Sequence, residues 1–205
     1  MDNIIPVEKP PGISTYELIR CYKKEHNFKG KIGHAGTLDP FAQGLVLLLL
    51  NKATKRFNEI QTWEKVYLAK IVLGQVSSTG DTEGEIKQIS SLQPEEKELK
   101  KILKLFIGET EQRIPAFSAA KHKGVPLYKL ARKGIKIEKK KKVKIRKIDF
   151  IKYQYPFLEI RVFCSSGTYI RQLAEDIGEK IKTGAYLTFL KREKIGEFDK
   201  SSLLC

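Results

Sequence analysis

Leu158-Glu159-Ile160-Arg161-Val162-Phe163-Cys164 places Leu158, Ile160, Val162 and Cys164 at every second position, with Glu159, Arg161 and Phe163 between them. That is the period of a half-buried β-strand. A few residues on, the period changes: Ile170, Leu173, Ala174 and Ile177 recur at helical spacing, and Gly184 is the expected stop. A long alternating strand running into an amphipathic helix is the unit from which the rest of the chain is read.

Outward from this junction, both periods recur in no regular order. Leu45 to Leu50 reads as a buried strand and Val66 to Leu73 as another, ending at Gly74. Ser14-x-x-Glu17 is a capping-box signature followed by Leu18, Ile19 and Tyr22, so a helix is expected from about Thr15 to the Asn27 region, stopping before Gly30. Pro94 is expected to open a further helix carrying Leu99, Ile102, Leu103 and Phe106, which Gly108 ends. Strands and helices mixed irregularly predict an α+β fold, with helices flanking a mixed or mainly antiparallel central sheet. Neither an internal repeat nor a low-complexity linker interrupts the 205 residues, which are read as one domain, 1–205.

Lys and Arg number 39 against 24 Asp and Glu, a net charge of +15. Such a surface favours a polyanion, because each neutralised phosphate releases counterions. Cys21, Cys164 and Cys205 are too scattered for a disulfide framework or a Cys-x-x-Cys metal site, and His26, His34 and His122 lack metalloprotease spacing. No metal and no cofactor are expected. The apolar run Leu45 to Leu50 is too short to span a bilayer and the N-terminus does not read as a signal peptide, so a cytoplasmic protein without membrane contact is expected.

One charge run stands out. Lys139, Lys140, Lys141, Lys142, Lys144, Arg146 and Lys147 are interleaved with Val143, Ile145 and Ile148, a strand with one basic face. Two readings fit it: a strand turned to water, or a rim that tracks phosphates and carries affinity without sequence recognition.

Lys31-Ile32-Gly33-His34-Ala35-Gly36-Thr37-Leu38-Asp39-Pro40 holds a carboxylate on a stiff loop ahead of a buried strand: its glycines permit sharp turns or close backbone approach, and Pro40 fixes the chain just after Asp39. Taken alone this is also the pattern of a tight Asx turn, and it is not a phosphate-binding P-loop.

Five segments together resemble the bacterial TruB-type tRNA pseudouridine-55 synthases. They are Glu8-Lys9-Pro10-Pro11-Gly12-Ile13-Ser14; Gly33 to Pro40 with Ala53-Thr54-Lys55; Lys65-Val66-Tyr67-Leu68-Ala69; Pro115-Ala116-Phe117-Ser118-Ala119-Ala120-Lys121 with Leu127-Tyr128-Lys129-Leu130-Ala131-Arg132; and Cys164-Ser165-Ser166-Gly167-Thr168-Tyr169-Ile170-Arg171. The resemblance runs from about Lys9 to Phe198 and implies the pseudouridine synthase fold. It further implies that the chain flips one uridine out of the T arm of tRNA and isomerises it. A monomer is expected. Asp39 matches the carboxylate that attacks the nucleoside, Arg171 the arginine that pairs with it, and Tyr67 the tyrosine that lies against the uracil and serves as base for the C5 proton. His34 matches the residue that fills the space left by the extruded base. Tyr169 and Leu190 match pocket-lining positions, and Lys9, Pro10 and Lys55 surround the catalytic loop.

Without the resemblance, Arg171 would be assigned to a plain helix pair with Glu175. With it, Asp39, Tyr67, Tyr169, Arg171 and Leu190 are expected to converge on one cleft. Relatives of this type usually continue into a C-terminal PUA domain, whereas this sequence stops at Cys205, so a catalytic domain alone is expected. The family's Gln-x-Pro-Pro stands here as Gln112-Arg113-Ile114-Pro115. Two other classes compete: a catalytically silent RNA-binding or tRNA-folding protein of the same fold, which needs none of Asp39, Tyr67 and Arg171, and a glycoside or nucleoside hydrolase, which generally needs a second carboxylate.

Overall fold

A computed structural model describes residues 3–135 and 137–203. In chain order its elements are β1 (Ile4–Lys9), α1 (Thr15–Glu25), β2 (Ile32–His34), β3 (Gln43–Leu50), a 3-10 helix (Asn51–Arg56), α2 (Phe57–Ile60), β4 (Lys65–Leu73), β5 (Gln75–Ser77), β6 (Ile86–Gln88), α3 (Glu96–Leu105), β7 (Gly108–Arg113), β8 (Lys121–His122), β9 (Val125–Pro126), α4 (Leu127–Ala131), β10 (Lys140–Gln154), β11 (Phe157–Cys164), α5 (Ile170–Lys180), β12 (Ala185–Ile195) and a short 3-10 turn (Lys200–Ser202). They form two compact units, Met1–Leu68 with Leu190–Cys205, and Ala69–Phe189.

In the first unit the strands hydrogen-bond in the order β1-β3-β12-β4, with β2 also on β3. β1 runs antiparallel to β3, Ile4 opposite Leu49 and Lys9 opposite Gly44, while β12 runs parallel to β3, Lys191 opposite Gln43 and Arg192 opposite Gly44. Gly44 is required at this crossing: its φ is +109°, and a β-carbon there would lie 2.8 Å from the Arg192 backbone nitrogen. Leu45, Leu47 and Leu49 pack with Ala35, Ala53, Ile60 and Ile195, and Ile4, Trp63, Phe198 and Leu203 close the edges. In α1 the Ser14 hydroxyl accepts the Glu17 amide at 3.1 Å, as the capping signature predicts, and Leu18 and Ile19 turn inward.

In the second unit the order is β12-β4-β11-β10-β7. β10 is antiparallel to β11, Gln154 opposite Phe157, and to β7, Lys140 opposite Arg113. Leu158, Ile160, Val162 and Cys164 are all buried, which accounts for their alternation. α3 meets α5, and Leu99, Leu103, Leu173, Ala174 and Ile177 are buried. β1–β3, β2–β3, β7–β10 and β10–β11 are antiparallel and β3–β12 is parallel, so the sheet is mixed and mainly antiparallel, flanked by helices, as expected. α3 departs slightly from expectation: it begins at Glu96 with Glu95 as its cap, so Pro94 precedes the helix instead of opening it. α2, α4 and the 3-10 helix were not legible, being too short to establish a period. Among the described residues no helix is long and apolar enough to cross a membrane.

Candidate functional site

In the first unit, Asp39 sits half-buried on the loop between β2 and β3, and the loop is braced from three sides. Lys9, fully buried at the end of β1, donates from Nζ to the carbonyls of Pro10 and Ile13, both at 2.8 Å, and of Pro40 at 3.0 Å. Thr15, the first residue of α1, hydrogen-bonds through Oγ1 to both the amide and the carbonyl of Leu38. The Gly12 amide donates to the Pro40 carbonyl at 2.8 Å, and the Ala42 amide to that of Asp39 at 3.1 Å. The third brace is Arg192 on β12, 1% exposed, which donates from Nε to the Leu45 carbonyl at 2.7 Å and from Nη2 to that of Gly36 at 3.1 Å. A buried ammonium and a buried guanidinium are thus each held by backbone carbonyl oxygens around this segment, as buried charges must be.

Beside the loop, His34 ends β2 with a buried Nδ1 that has no hydrogen-bond partner. Burial, and then the Arg192 guanidinium, hold its pKa below the ordinary 6.5, while a hydrogen bond with the Gly36 backbone opposes them. Tyr67 on β4 and Leu190 on β12 are buried in the same unit, Pro10 is exposed, and Lys55 lies exposed in the 3-10 helix.

The second unit carries Tyr169 and Arg171. Tyr169 caps α5, and its backbone is gripped twice by Gln112 of β7: the Tyr169 amide donates to Oε1 at 2.8 Å and Nε2 donates to the Tyr169 carbonyl at 2.9 Å. Arg171, 4% exposed, donates from Nη1 to the Thr79 carbonyl at 3.0 Å and from Nη2 to the Phe117 carbonyl at 2.9 Å, and meets the buried Asp81 carboxylate at 3.3 Å. Asp81 Oδ1 in turn accepts from Thr79 Oγ1 at 2.6 Å and the Glu83 amide at 3.0 Å. Burial first, then Asp176, raises the pKa of Glu175 one turn further along α5, against the opposing pull of Arg113, Arg171 and Gln172.

Thr15, Arg192 and Asp81 were not anticipated. Thr15 was read only as a helix start. Asp81 could have been suspected from the polar turn Ser77-Ser78-Thr79-Gly80-Asp81 after a buried strand; Arg192 carried no local signal at all. Among the described residues no three His, Cys, Asp or Glu side chains cluster as metal ligands would.

Residues 23–170 match the N-terminal domain of the TruB family pseudouridylate synthases. The chain belongs to this family. Two relatives extend the match almost to both ends. The tRNA pseudouridine synthase B of Endomicrobium trichonymphae is 42% identical over 97% of this chain and 87% of its own length. That of Caldicellulosiruptor saccharolyticus is 42% identical over 97% of this chain and 69% of its own. Among solved structures, a Cbf5-Nop10-Gar1 complex superimposes with a TM-score of 0.77 at 28% identity, covering 98% of this chain and 51% of that one. An H/ACA RNP bound to a substrate RNA containing 2′-deoxyuridine gives 0.73 at 26%, covering 98% and 50%. The chain thus spans about half the length of those two structural relatives. This TruB-family chain has the pseudouridine synthase fold, and the braced Asp39 loop and the Arg171 cluster both fall on segments that carry the family resemblance.

Proposed function

We propose that this chain, residues 1–205 as one catalytic domain, is a tRNA pseudouridine synthase that isomerises uridine 55 of the T arm. The N1–C1′ bond of the uridine breaks, the base turns, and a C5–C1′ bond forms; C5 loses a proton and N1 gains one, so no oxidant or cofactor is consumed. Asp39 is the attacking carboxylate, and the bond it forms to the nucleoside breaks again as the C5–C1′ product is released; Arg171 is the arginine that pairs with it, Tyr67 takes the C5 proton, and Tyr169 and Leu190 line the uracil pocket. His34, with Nδ1 unpartnered in the free protein, fills the place of the flipped base.

The observation that supports this reading best is the bracing of the Asp39 loop by Lys9, Thr15 and Arg192, three buried polar side chains spent on one short segment. A loop that only had to turn needs no such frame, whereas a nucleophile that must meet a reacting atom within a fraction of an ångström does. The test is Asp39→Asn, which keeps shape and most hydrogen bonding but is a far poorer nucleophile. Folded variant in excess over tRNA labelled with tritium at C5 of uridine is expected to bind within about ten-fold of wild type, ~1.4 kcal/mol, and to release no tritium. Release near the wild-type rate would remove Asp39 from the mechanism.

A further inference from the structure

The seven cations from Lys139 to Lys147 do not form one uniform rim. Along the ladder between β10 and β7, Lys142 stands opposite Glu111 and Lys144 opposite Glu109, with Lys144 Nζ 4.0 Å from the Glu109 carboxylate. Further along, Lys147 pairs with Asp149 at 2.8 Å. Each pair adds almost no net field beyond a Debye length, so this stretch attracts a polyanion weakly however many lysines it holds.

The other end differs. Lys140 stands opposite Arg113, a like charge, and Lys141 opposite the buried Gln112. Arg113 is itself satisfied by Glu179 at 2.8 Å, leaving the lysines without that help. Lys139 and Lys140 line a cavity of about 250 Å³ whose walls include Thr79 and Phe117, the two residues whose carbonyls hold Arg171. Glu138 and Glu175 also line it, and burial biases Glu175 towards its neutral form. Lys141 lies over Gly167, whose φ is +76° and where any β-carbon would collide with the lysine ammonium. Gly167 precedes Tyr169 by two residues. The side chains of the unbalanced cations therefore border the loop that leads into Tyr169–Arg171, whereas Lys144 meets that loop through its backbone, at Ser165, and turns its ammonium to Glu109.

We infer that RNA phosphates are gripped by the Lys140–Lys141 end of β10, while the Lys144–Lys147 end faces water and contributes nothing to substrate affinity. The inference rests on the proposed RNA substrate and divides the basic strand into a working end and a solvated one. The test compares the full chain with Lys140→Gln/Lys141→Gln and with Lys144→Gln/Lys147→Gln, measuring filter binding of an unmodified tRNA transcript over a series of KCl concentrations. Each lost phosphate contact lowers the slope of log affinity against log salt by about 0.7–0.9. The first double is expected to lose about 1.5 in slope, with Lys141→Arg restoring its share, and the second to keep both slope and affinity. All four side chains are exposed, so melting temperatures should match and a folding defect would not mimic the result. Equal slopes in the two doubles, or an unchanged slope in the first, would overturn the inference while leaving the enzyme reading intact. A wild-type chain that binds tRNA with no salt dependence would remove both.

Discussion

The Thr15 hydroxyl closes a two-point ring with Leu38: the Leu38 amide donates to Oγ1 at 3.1 Å, and Oγ1 donates to the Leu38 carbonyl at 3.2 Å. Both residues are buried, at 2% and 3% exposure, so neither backbone group has water as an alternative. One hydroxyl at the start of α1 thereby fixes the peptide immediately before Asp39.

Thr15→Val keeps the volume and removes the ring. Two buried backbone groups lose their partner, and the variant is expected to be about 2 kcal/mol less stable to urea. Its single-turnover rate should fall at least about ten-fold, since small displacements of a reacting group are costly. Thr15→Ser should restore both. Equal rates in the Val and Ser variants would show that the loop holds Asp39 without Thr15.

Asp81→Asn keeps acceptor geometry toward Thr79 and the Glu83 amide but removes the charge 3.3 Å from the buried Arg171 guanidinium. A loss of about 3 kcal/mol in unfolding free energy is expected, as for other broken buried pairs. Turnover at saturating substrate should fall with it, because Arg171 loses one of the anchors that aim it. A stability change under about 0.5 kcal/mol, within the range of ordinary surface substitutions, would mean that the carbonyls of Thr79 and Phe117 suffice.

Among the groups whose pKa is shifted, His34 and Glu175 act on the pH dependence with opposite signs. His34 has its folded pKa held below 6.5, so its contribution to stability is present above pH 6.5 and is lost as pH falls through that value to the lower folded one. Glu175 has its folded pKa raised above 4.5, so its contribution is fully present below pH 4.5 and is lost as pH rises through the higher folded value. Melting curves against pH should therefore show Glu175→Gln more stable than wild type at neutral pH, with the difference closing below pH 4.5. His34→Gln should instead flatten the loss on the acid side of pH 6.5. A Glu175→Gln difference that is constant with pH would show that packing, not ionisation, separates the two proteins.

Much of the fold was legible because hydrophobic period is a local property. The alternation from Leu158 to Cys164, the leucine run of β3 and the stripes of α1, α3 and α5 each occupy consecutive residues, and each became the element its period named. The capping of α1 by Ser14 was legible for the same reason. The site was legible only in part: Asp39 and Arg171 stood out through the segments that carry them, but the residues holding them did not.

By itself, the sequence determined the identity and order of the longer periodic elements, α1, β3, β4, α3, β11 and α5, the basic character of β10, and the segments that place the chain in its family. Only the tertiary structure decided that Thr15 grips Leu38 across 23 residues, that Arg192 reaches Leu45 across 147, that Arg171 reaches the Thr79 carbonyl across 92, and that Lys144 meets Glu109 while Lys141 covers Gly167. The physical reason is that these side chains answer backbone carbonyls and charges which every sequence possesses and none advertises. A hydrophobic stripe announces its partner by period, whereas a buried donor acquires its acceptor only when folding brings the two together.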